Sequence, residues 1–190
     1  MNENSLILAS ASPRRRELLQ LMGIAFTVCP VNVDEHIKGD PQTVVQQLAL
    51  KKALAASALH PGKTVLGSDT LVSCAGQTLG KPRDEADALR MLRLLSGQLN
   101  TVFTGVCVID GPTGRTDVRC DRAEVHFVSF DDDAARRYIR SGEPMDKAGA
   151  YGVQGMGGMF VSSIKGSPSN VIGLPMHLVR EMLRDIGWQL

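Results

Sequence analysis

The chain has 190 residues, enough for a single domain with a cleft over residues 1–190, and its 43% hydrophobic and 22% charged residues are ordinary for a soluble globular protein. The formal net charge of +1 argues against bulk binding of nucleic acid, and no apolar run is long enough to span a bilayer. No secretion-type leader is evident, so we expect a cytoplasmic protein with neither nucleic acid nor membrane as a partner.

The first predicted elements are a buried strand at residues 6–9, a short polar loop, and a helix that begins at Pro13 after an N-cap at Ser12. Three arginines at positions 14–16 crowd the first turn of this helix, where each added cation should cost roughly 0.3–1 kcal/mol. A bound anion would offset that cost. Together with the hydroxyl of Ser10, the loop suits phosphate, although a solvated basic first turn is the alternative.

The next part of the chain places carboxylates and a lysine at informative positions. A second strand is predicted at residues 24–33 and ends at Asp34 and Glu35. Asp40 and Pro41 then begin a helix. The apolar stripe of that helix is predicted to comprise Val44, Val45, Leu48, Ala55 and Leu59. Lys52 lies on or beside the stripe, so it either faces a ligand or extends its ammonium group into water.

A carboxylate interrupts the following strand. Asp69 lies within the apolar run of residues 64–72, and a buried carboxylate needs a partner because it is costly without one. A short return strand at residues 77–80 leads to Lys81, whose direction is fixed by Pro82.

The remainder alternates between helices, strands and one glycine-rich segment. The predicted elements are a helix at 84–96, two strands of a hairpin at 101–110 and 119–128, a helix at 131–141, a strand at 159–165, a polar loop at 166–170 and a helix from Pro175. Residues 146–158 contain five glycines, which predicts a loop whose backbone approaches a ligand closely. This loop matches neither the Walker motif nor the dinucleotide-binding motif.

Combined, these features describe one kind of site. The first loop supplies hydroxyl and guanidinium groups, Lys52 and Lys81 supply point charges, and Glu35 and Asp69 supply carboxylates. Cations together with two carboxylates suit a polyphosphate bound with a divalent metal, and magnesium fits because it accepts one or two carboxylates besides water and phosphate oxygens. The four cysteines are scattered without a C-x-x-C pair, which favours neither a zinc site nor a disulfide framework.

Eight segments resemble the Maf family of nucleoside triphosphate pyrophosphatases, in the right order and over nearly the whole chain. They are residues 6–19, 34–35, 48–53, 67–70, 80–83, 95–97, 146–155 and 170–175. The resemblance implies an α/β fold like that of inosine triphosphate pyrophosphatases, with an elongated mixed β-sheet flanked by helices and two lobes around a cleft. It also implies a homodimer and a divalent cation, Mg²⁺ or Mn²⁺, as cofactor. The implied reaction is attack of water on the α-phosphorus, which gives a nucleoside monophosphate and pyrophosphate.

The resemblance also implies roles for individual residues. The implied catalytic residues are Asp69, Lys81, Lys52 and Glu35. Asp69 corresponds to the proton acceptor, and both Glu35 and Asp69 are candidate metal ligands. The implied phosphate loop comprises Ser10, Ser12 and Arg15.

Three further positions separate the branches of the family by base preference. The branch that prefers 7-methyl-GTP typically has Trp, Gln and Glu where this chain has Arg14, Thr70 and Gln154. The combination found here resembles the branch that acts on dTTP and UTP, with modified pyrimidine nucleotides as further candidate substrates. A glutamine amide can donate to a uracil carbonyl and accept from its N3–H, whereas a glutamate suits a cationic purine.

Two other functions are weighed against this interpretation. A 7-methyl-GTP pyrophosphatase would keep every catalytic residue and differ only in base choice. A nucleotide-binding regulator of septum formation, without meaningful turnover, would not need the two carboxylates. The presence of Asp69 and Glu35 beside the lysines therefore favours the enzyme.

Overall fold

The computed structural model describes residues 6–190, so residues 1–5 of the predicted domain lie outside the described residues. Within that range the strands are β1 (Leu6–Leu8), β2 (Phe26–Val28), β3 (Val65–Cys74), β4 (Gln77–Leu79), β5 (Leu99–Ile109), β6 (Thr116–Phe127) and β7 (Val161–Lys165). They form a sheet in the order β2-β1-β3-β5-β6-β7, with β4 paired to β3. The sheet is mixed, because β1 is parallel to β2 and β3 whereas β4 and β7 are antiparallel to their partners.

The helices are α1 (Pro13–Leu21), α2 (Pro41–Leu59), α3 (Glu85–Leu95), α4 (Asp132–Arg140), α5 (Pro168–Ile172) and α6 (Met176–Arg184). Short 3₁₀ segments lie at Glu143–Asp146, Ala148–Ala150 and Met156–Phe160. The predicted α/β class, a mixed sheet with helices, is confirmed. The short α5 occupies much of the stretch predicted as a polar loop. No helix among the described residues combines the length and apolarity needed to cross a membrane.

Three local predictions were wrong in extent. β2 covers three residues rather than the ten predicted, because it lies at the edge of the sheet and is followed by Pro30, which cannot donate to a ladder. β3 includes Asp69 and ends at Cys74, two residues beyond the predicted run. At the end of α2, Leu59 is 66% exposed and Ala55 is only partly buried, so neither belongs to a buried stripe.

Contacts within the chain divide it into two compact units, and the prediction of a single domain over residues 1–190 stays a prediction. The first unit comprises residues through Asp69 together with Thr104–Asp121 and Gly173–Leu190. The second comprises Thr70–Phe103 and Arg122–Ile172.

In the first unit, α2 packs directly on β3 and β5. A Cβ atom at Gly67 would lie 2.3 Å from the carbonyl oxygen of Ala49, and one at Gly105 would lie 2.2 Å from that of Val45. Only glycine allows backbones to approach this closely. The buried face of α2 correspondingly includes the small residues Ala49, Ala53 and Ala56, besides Val44, Val45 and Leu48 of the predicted stripe. This tight contact holds the middle of α2 against the strand that carries Asp69.

In the second unit, α3 and α4 pack over a core that contains several aromatic rings. The ring of Phe127 meets that of Tyr151 edge-on, with centroids 4.8 Å apart. The hydroxyl of Tyr151 donates to Asn100 Oδ1 at 3.0 Å, and the amide of Asn100 donates to the carbonyl oxygen of Val125 at 3.1 Å. The buried side chains of Tyr151 and Asn100 are thus hydrogen-bonded, and they anchor Tyr151, a residue of the glycine-rich stretch, in the core.

Candidate functional site

Lys52 binds two carboxylates. Its ammonium group donates to Asp69 Oδ1 at 2.6 Å and lies 2.7 Å from Glu35 Oε1. The side chains of Lys52 and Asp69 are only 12% and 11% exposed, whereas that of Glu35 is 60% exposed. Lys52 therefore does not extend its ammonium into water. The carboxylate that the sequence predicted to need a partner has one.

The segment before α2 is held to that helix by neighbouring lysines. Lys51 donates to the carbonyl oxygen of Asp34 at 3.3 Å, one residue before the Glu35 that pairs with Lys52. The carboxylate of Asp34 accepts the backbone N–H of His36 at 3.0 Å, and this hydrogen bond lowers the pKa of Asp34. The turn is thereby closed around Glu35. Asp40 caps α2 as predicted, by accepting the backbone N–H of Thr43 at 3.2 Å.

Arg15 turns away from the solvent side of α1. Its Nε donates to the carbonyl oxygen of Gly173 at 2.8 Å, and its Nη1 donates to the hydroxyl of Ser10 at 3.0 Å. Burial lowers the pKa of Arg15, while the negative charge of Asp69 acts to raise it. An arginine remains cationic under such shifts. The guanidinium of Arg15 therefore brings positive charge into the neighbourhood of the carboxylates.

The beginning of α1 leaves a hydroxyl uncommitted to the helix. Ser12 occupies the predicted N-cap position, but its side chain makes no capping hydrogen bond. Its backbone N–H instead donates to the hydroxyl of Ser10 at 3.2 Å. The first turn of α1 itself holds no acidic residue that would offset the positive end of the helix dipole. A role of this loop in phosphate binding stays a prediction.

The other predicted site residues lie in the second unit or at its start. Thr70 follows Asp69 on β3, and Lys81 is an exposed residue between Gly80 and the buried Pro82. The backbone N–H of Gly149 donates to the carbonyl oxygen of Gly80 at 3.0 Å. The glycine-rich stretch therefore contacts the residue that directly precedes Lys81.

Sequence reasoning missed Glu143 and Tyr138, whose side chains hydrogen-bond to the glycine-rich stretch. Glu143 accepts the hydroxyl of Tyr138 at 2.8 Å and the backbone N–H groups of Met156 and Gly157 at 2.8 and 3.2 Å. Burial acts to raise the pKa of Glu143, but these hydrogen bonds outweigh it, so the pKa lies below its ordinary value. Gln154, which is exposed, lies in the stretch between these contacts. No local pattern marks Glu143, which follows a helix-ending glycine in a polar stretch.

The first unit thus unites most of the predicted phosphate and carboxylate groups. Direct contacts join Ser12 and Arg15 to Ser10, and they join Glu35 and Asp69 to Lys52. The two sets are linked by charge, because the carboxylates of Asp69 and Glu35 act to raise the pKa of Arg15. The charge of Arg14 also acts on Arg15, whose pKa it lowers. Thr70, Lys81 and Gln154 belong to the second unit.

Two carboxylate oxygens are the candidate metal donors. Among residues 6–190, no group of three or more His, Cys, Asp or Glu side chains could hold a metal ion by itself. Glu35 and Asp69, however, present oxygens to the same ammonium group of Lys52. One or two carboxylates are what Mg²⁺ takes from a protein when phosphate oxygens and water complete its octahedron. The donor set fits a cation that arrives with a polyphosphate.

Comparison with known proteins identifies the family. The family model described as "Maf-like protein" matches residues 5–186. The "dTTP/UTP pyrophosphatase" of Moorella thermoacetica is 47% identical over 186 residues, which cover 97% of this chain and 96% of that protein. The chain belongs to the Maf family. The proteins of the same name from Thermococcus gammatolerans and Syntrophus aciditrophicus are 46% and 47% identical to this Maf protein, over 97% and 98% of its length and 98% and 92% of their own.

The solved structure of the Staphylococcus aureus Ham1 protein aligns with 65% of this Maf chain and 72% of its own, at 15% identity and a TM-score of 0.49. Membership of the Maf family rests on the sequence relatives. The predicted resemblance to that family is confirmed.

Proposed function

We propose that this Maf protein hydrolyses dTTP and UTP to the nucleoside monophosphate and pyrophosphate. The observation that carries the proposal is the buried Lys52–Asp69 pair, with Glu35 on the same ammonium group. A protein that only bound an anion would not place two carboxylates there. Support for the base comes from relatives at 46–47% identity that bear the name dTTP/UTP pyrophosphatase.

The triphosphate is bound, in this proposal, by hydroxyl groups and cations. The first loop supplies Ser10, Ser12 and Arg15, whose guanidinium is already oriented by Gly173 and Ser10. Planar guanidinium groups bind phosphate oxygens in a bidentate manner, and ammonium groups bind them as point charges. Lys52 and Lys81 supply the two ammonium groups, and Lys81 is directed by the rigid proline that follows it.

The carboxylates orient and deprotonate the attacking water. Asp69 accepts a proton at its carboxylate as the water attacks the α-phosphorus, while Lys52 holds that carboxylate in place through the 2.6 Å hydrogen bond. Glu35 and Asp69 also hold the divalent cation, Mg²⁺ or Mn²⁺. When bound, the cation neutralises phosphate charge.

Base choice is assigned to Arg14, Thr70 and Gln154. The side-chain amide of Gln154 is exposed and can both donate and accept, as the edge of uracil or thymine requires. Arg14 offers no aromatic face on which a cationic purine could stack. This set therefore favours a pyrimidine over 7-methylguanine, and modified pyrimidine nucleotides fall within the same class.

The proposal includes the setting of the reaction. We infer a cytoplasmic homodimer that acts on free nucleotides, with neither nucleic acid nor membrane as a partner. The near-neutral net charge of the chain supports the exclusion of nucleic acid, because bulk nucleic-acid binding requires an excess of positive charge.

Product analysis tests the proposal. Purified protein with Mg²⁺ is given dTTP, UTP, CTP, ATP, GTP and 7-methyl-GTP in turn, and pyrophosphate is measured against free phosphate. We expect pyrophosphate, with dTTP and UTP as the best substrates. A preference for 7-methyl-GTP would overturn the assigned base, and the absence of turnover with every nucleotide would favour the nucleotide-binding regulator.

A further inference from the structure

The carboxylate of Glu143 lies at the centre of the glycine-rich stretch. Its Oε1 accepts the hydroxyl of Tyr138 and the N–H of Gly157, and its Oε2 accepts the N–H of Met156. The oxygen of the Tyr138 hydroxyl in turn accepts the N–H of Gly152 at 3.2 Å. The side chains of Glu143 and Tyr138 thereby bind three backbone N–H groups, one before Gln154 and two after it.

The glycines of this stretch pack tightly around the same two side chains. A Cβ atom at Gly155 would lie 2.3 Å from Glu143 Oε2, and one at Gly157 would lie 2.6 Å from the hydroxyl of Tyr138. Neither glycine has a positive φ. Space, rather than backbone conformation, is what excludes a side chain at both positions. The path of residues 152–157 is consequently set by the position of the carboxylate.

The support for this carboxylate is rigid. Tyr138 is 1% exposed, and its ring meets that of Phe160 edge-on at a centroid distance of 5.6 Å. Lys147 donates to the backbone carbonyl oxygen of Glu143 at 2.5 Å and to the carboxylate of Asp146 at 2.7 Å. Glu143 is thus fixed through its side chain and its backbone.

We propose that Glu143 is a positioning residue for nucleobase choice, which with Tyr138 fixes residues 152–157 and so directs the amide of Gln154 toward the pyrimidine. This inference rests on the proposed function, in which Gln154 contacts the base. It assigns Glu143 no contact with substrate.

The chemistry of the contacts makes a carboxylate necessary. One O–H and two N–H donors converge on Glu143, and an ionised carboxylate can accept all of them because it has two oxygens and no hydrogen. A glutamine of the same size replaces one oxygen by an NH₂ group, which then faces a donor. Glu143→Gln should therefore displace the stretch while it leaves the core intact.

Steady-state kinetics of Glu143→Gln test the proposal. We expect KM for dTTP and UTP to rise about tenfold while kcat stays within about threefold, and the preference in kcat/KM for dTTP over CTP to fall about tenfold. Asp132→Asn is the matched control, since it removes the same charge in the same unit from a carboxylate that pairs with Arg93 on α3. That variant should keep the wild-type preference.

A double variant decides whether the effect passes through Gln154. If Glu143 acts by positioning Gln154, adding Glu143→Gln to Gln154→Ala should change the dTTP/CTP preference less than twofold. A preference that stays at the wild-type value in Glu143→Gln would overturn the inference, as would a full tenfold effect in the Gln154→Ala background. Tyr138→Phe replaces Glu143→Gln if the latter does not fold. Failure of the proposed function is distinct, because wild-type protein would then release no pyrophosphate from dTTP or UTP.

Discussion

Two groups of side chains each surround one charged group. The Lys52 cluster consists of Lys52, Asp69 and Glu35. The Glu143 clamp consists of Glu143 and Tyr138 with the N–H groups of residues 152, 156 and 157. In the first, an ammonium group pairs with the carboxylates of Asp69 and Glu35, so charge meets charge. In the second, a carboxylate is satisfied by neutral donors. The ammonium group of Lys52 can also bind phosphate oxygens, whereas the hydrogen bonds of the clamp are all made within the protein. We therefore assign chemistry to the cluster and shape to the clamp.

The largest effect should follow from removing the charge of Asp69. Asp69→Asn cannot accept the proton of water, so kcat should fall by about 10³ while nucleotide binding is retained. Turnover of dTTP and equilibrium binding measure the two separately. Asp110→Asn is the control, because Asp110 is equally buried but its carboxylate accepts the hydroxyl of Thr113. An undiminished rate in Asp69→Asn would remove Asp69 from the mechanism.

Lys52→Met should lower stability as well as activity. It leaves the mostly buried carboxylate of Asp69 without its ammonium partner, and breaking such a pair costs about 3 kcal/mol of unfolding free energy. Lys51→Met is the neighbouring control, since Lys51 is exposed and donates to one backbone carbonyl oxygen. Denaturant unfolding compares the two variants. Equal losses of stability would contradict the assignment of Lys52 as the centre of the cluster.

The two regions should also differ in how they tolerate an added methyl group. At Gly67 the obstacle is the backbone of α2, so Gly67→Ala should cost about 2 kcal/mol or more. At Gly155 the obstacle is one side chain, that of Glu143, rather than backbone, so Gly155→Ala should cost less stability but should displace the carboxylate and disturb base preference. Thermal unfolding and the dTTP/CTP preference measure these effects. A larger loss of stability in Gly155→Ala than in Gly67→Ala would contradict the close packing of α2 on β3.

The smallest effect concerns pH and Glu143. Because hydrogen bonds hold the pKa of Glu143 below its ordinary value of 4.5, the folded state gains stability from the ionised form above that pH. The gain is lost as pH falls through the folded-state pKa. The difference in unfolding free energy between wild type and Glu143→Gln should be about 1 kcal/mol at pH 6 and should narrow toward pH 3. A difference that does not change with pH would mean that ionisation of Glu143 is not what stabilises the clamp.

Sequence reasoning found the Lys52 cluster because its members violate local patterns. Asp69 stands in an apolar strand and Lys52 on an apolar helix face, and both anomalies are visible within a few residues. The α/β class and most helices were predicted because they follow local patterns, namely hydrophobic periodicity and helix caps.

The Glu143 clamp was missed because its contacts are not local. Glu143 reaches Met156 and Gly157, thirteen and fourteen residues further along the chain, and neither end breaks a pattern. The error at Leu59 has a related origin. Helical spacing alone does not reveal that α2 packs through alanines onto glycines, which shifts the buried face toward Ala53 and Ala56.

The central claim is that the water held by Asp69 attacks the α-phosphorus. Hydrolysis of dTTP in ¹⁸O-labelled water tests it most directly, with mass analysis of both products. We predict one labelled oxygen in the nucleoside monophosphate and none in pyrophosphate. Label in pyrophosphate would mean attack at the β-phosphorus, and label in free phosphate would mean release of the γ-phosphate; either result would contradict the account.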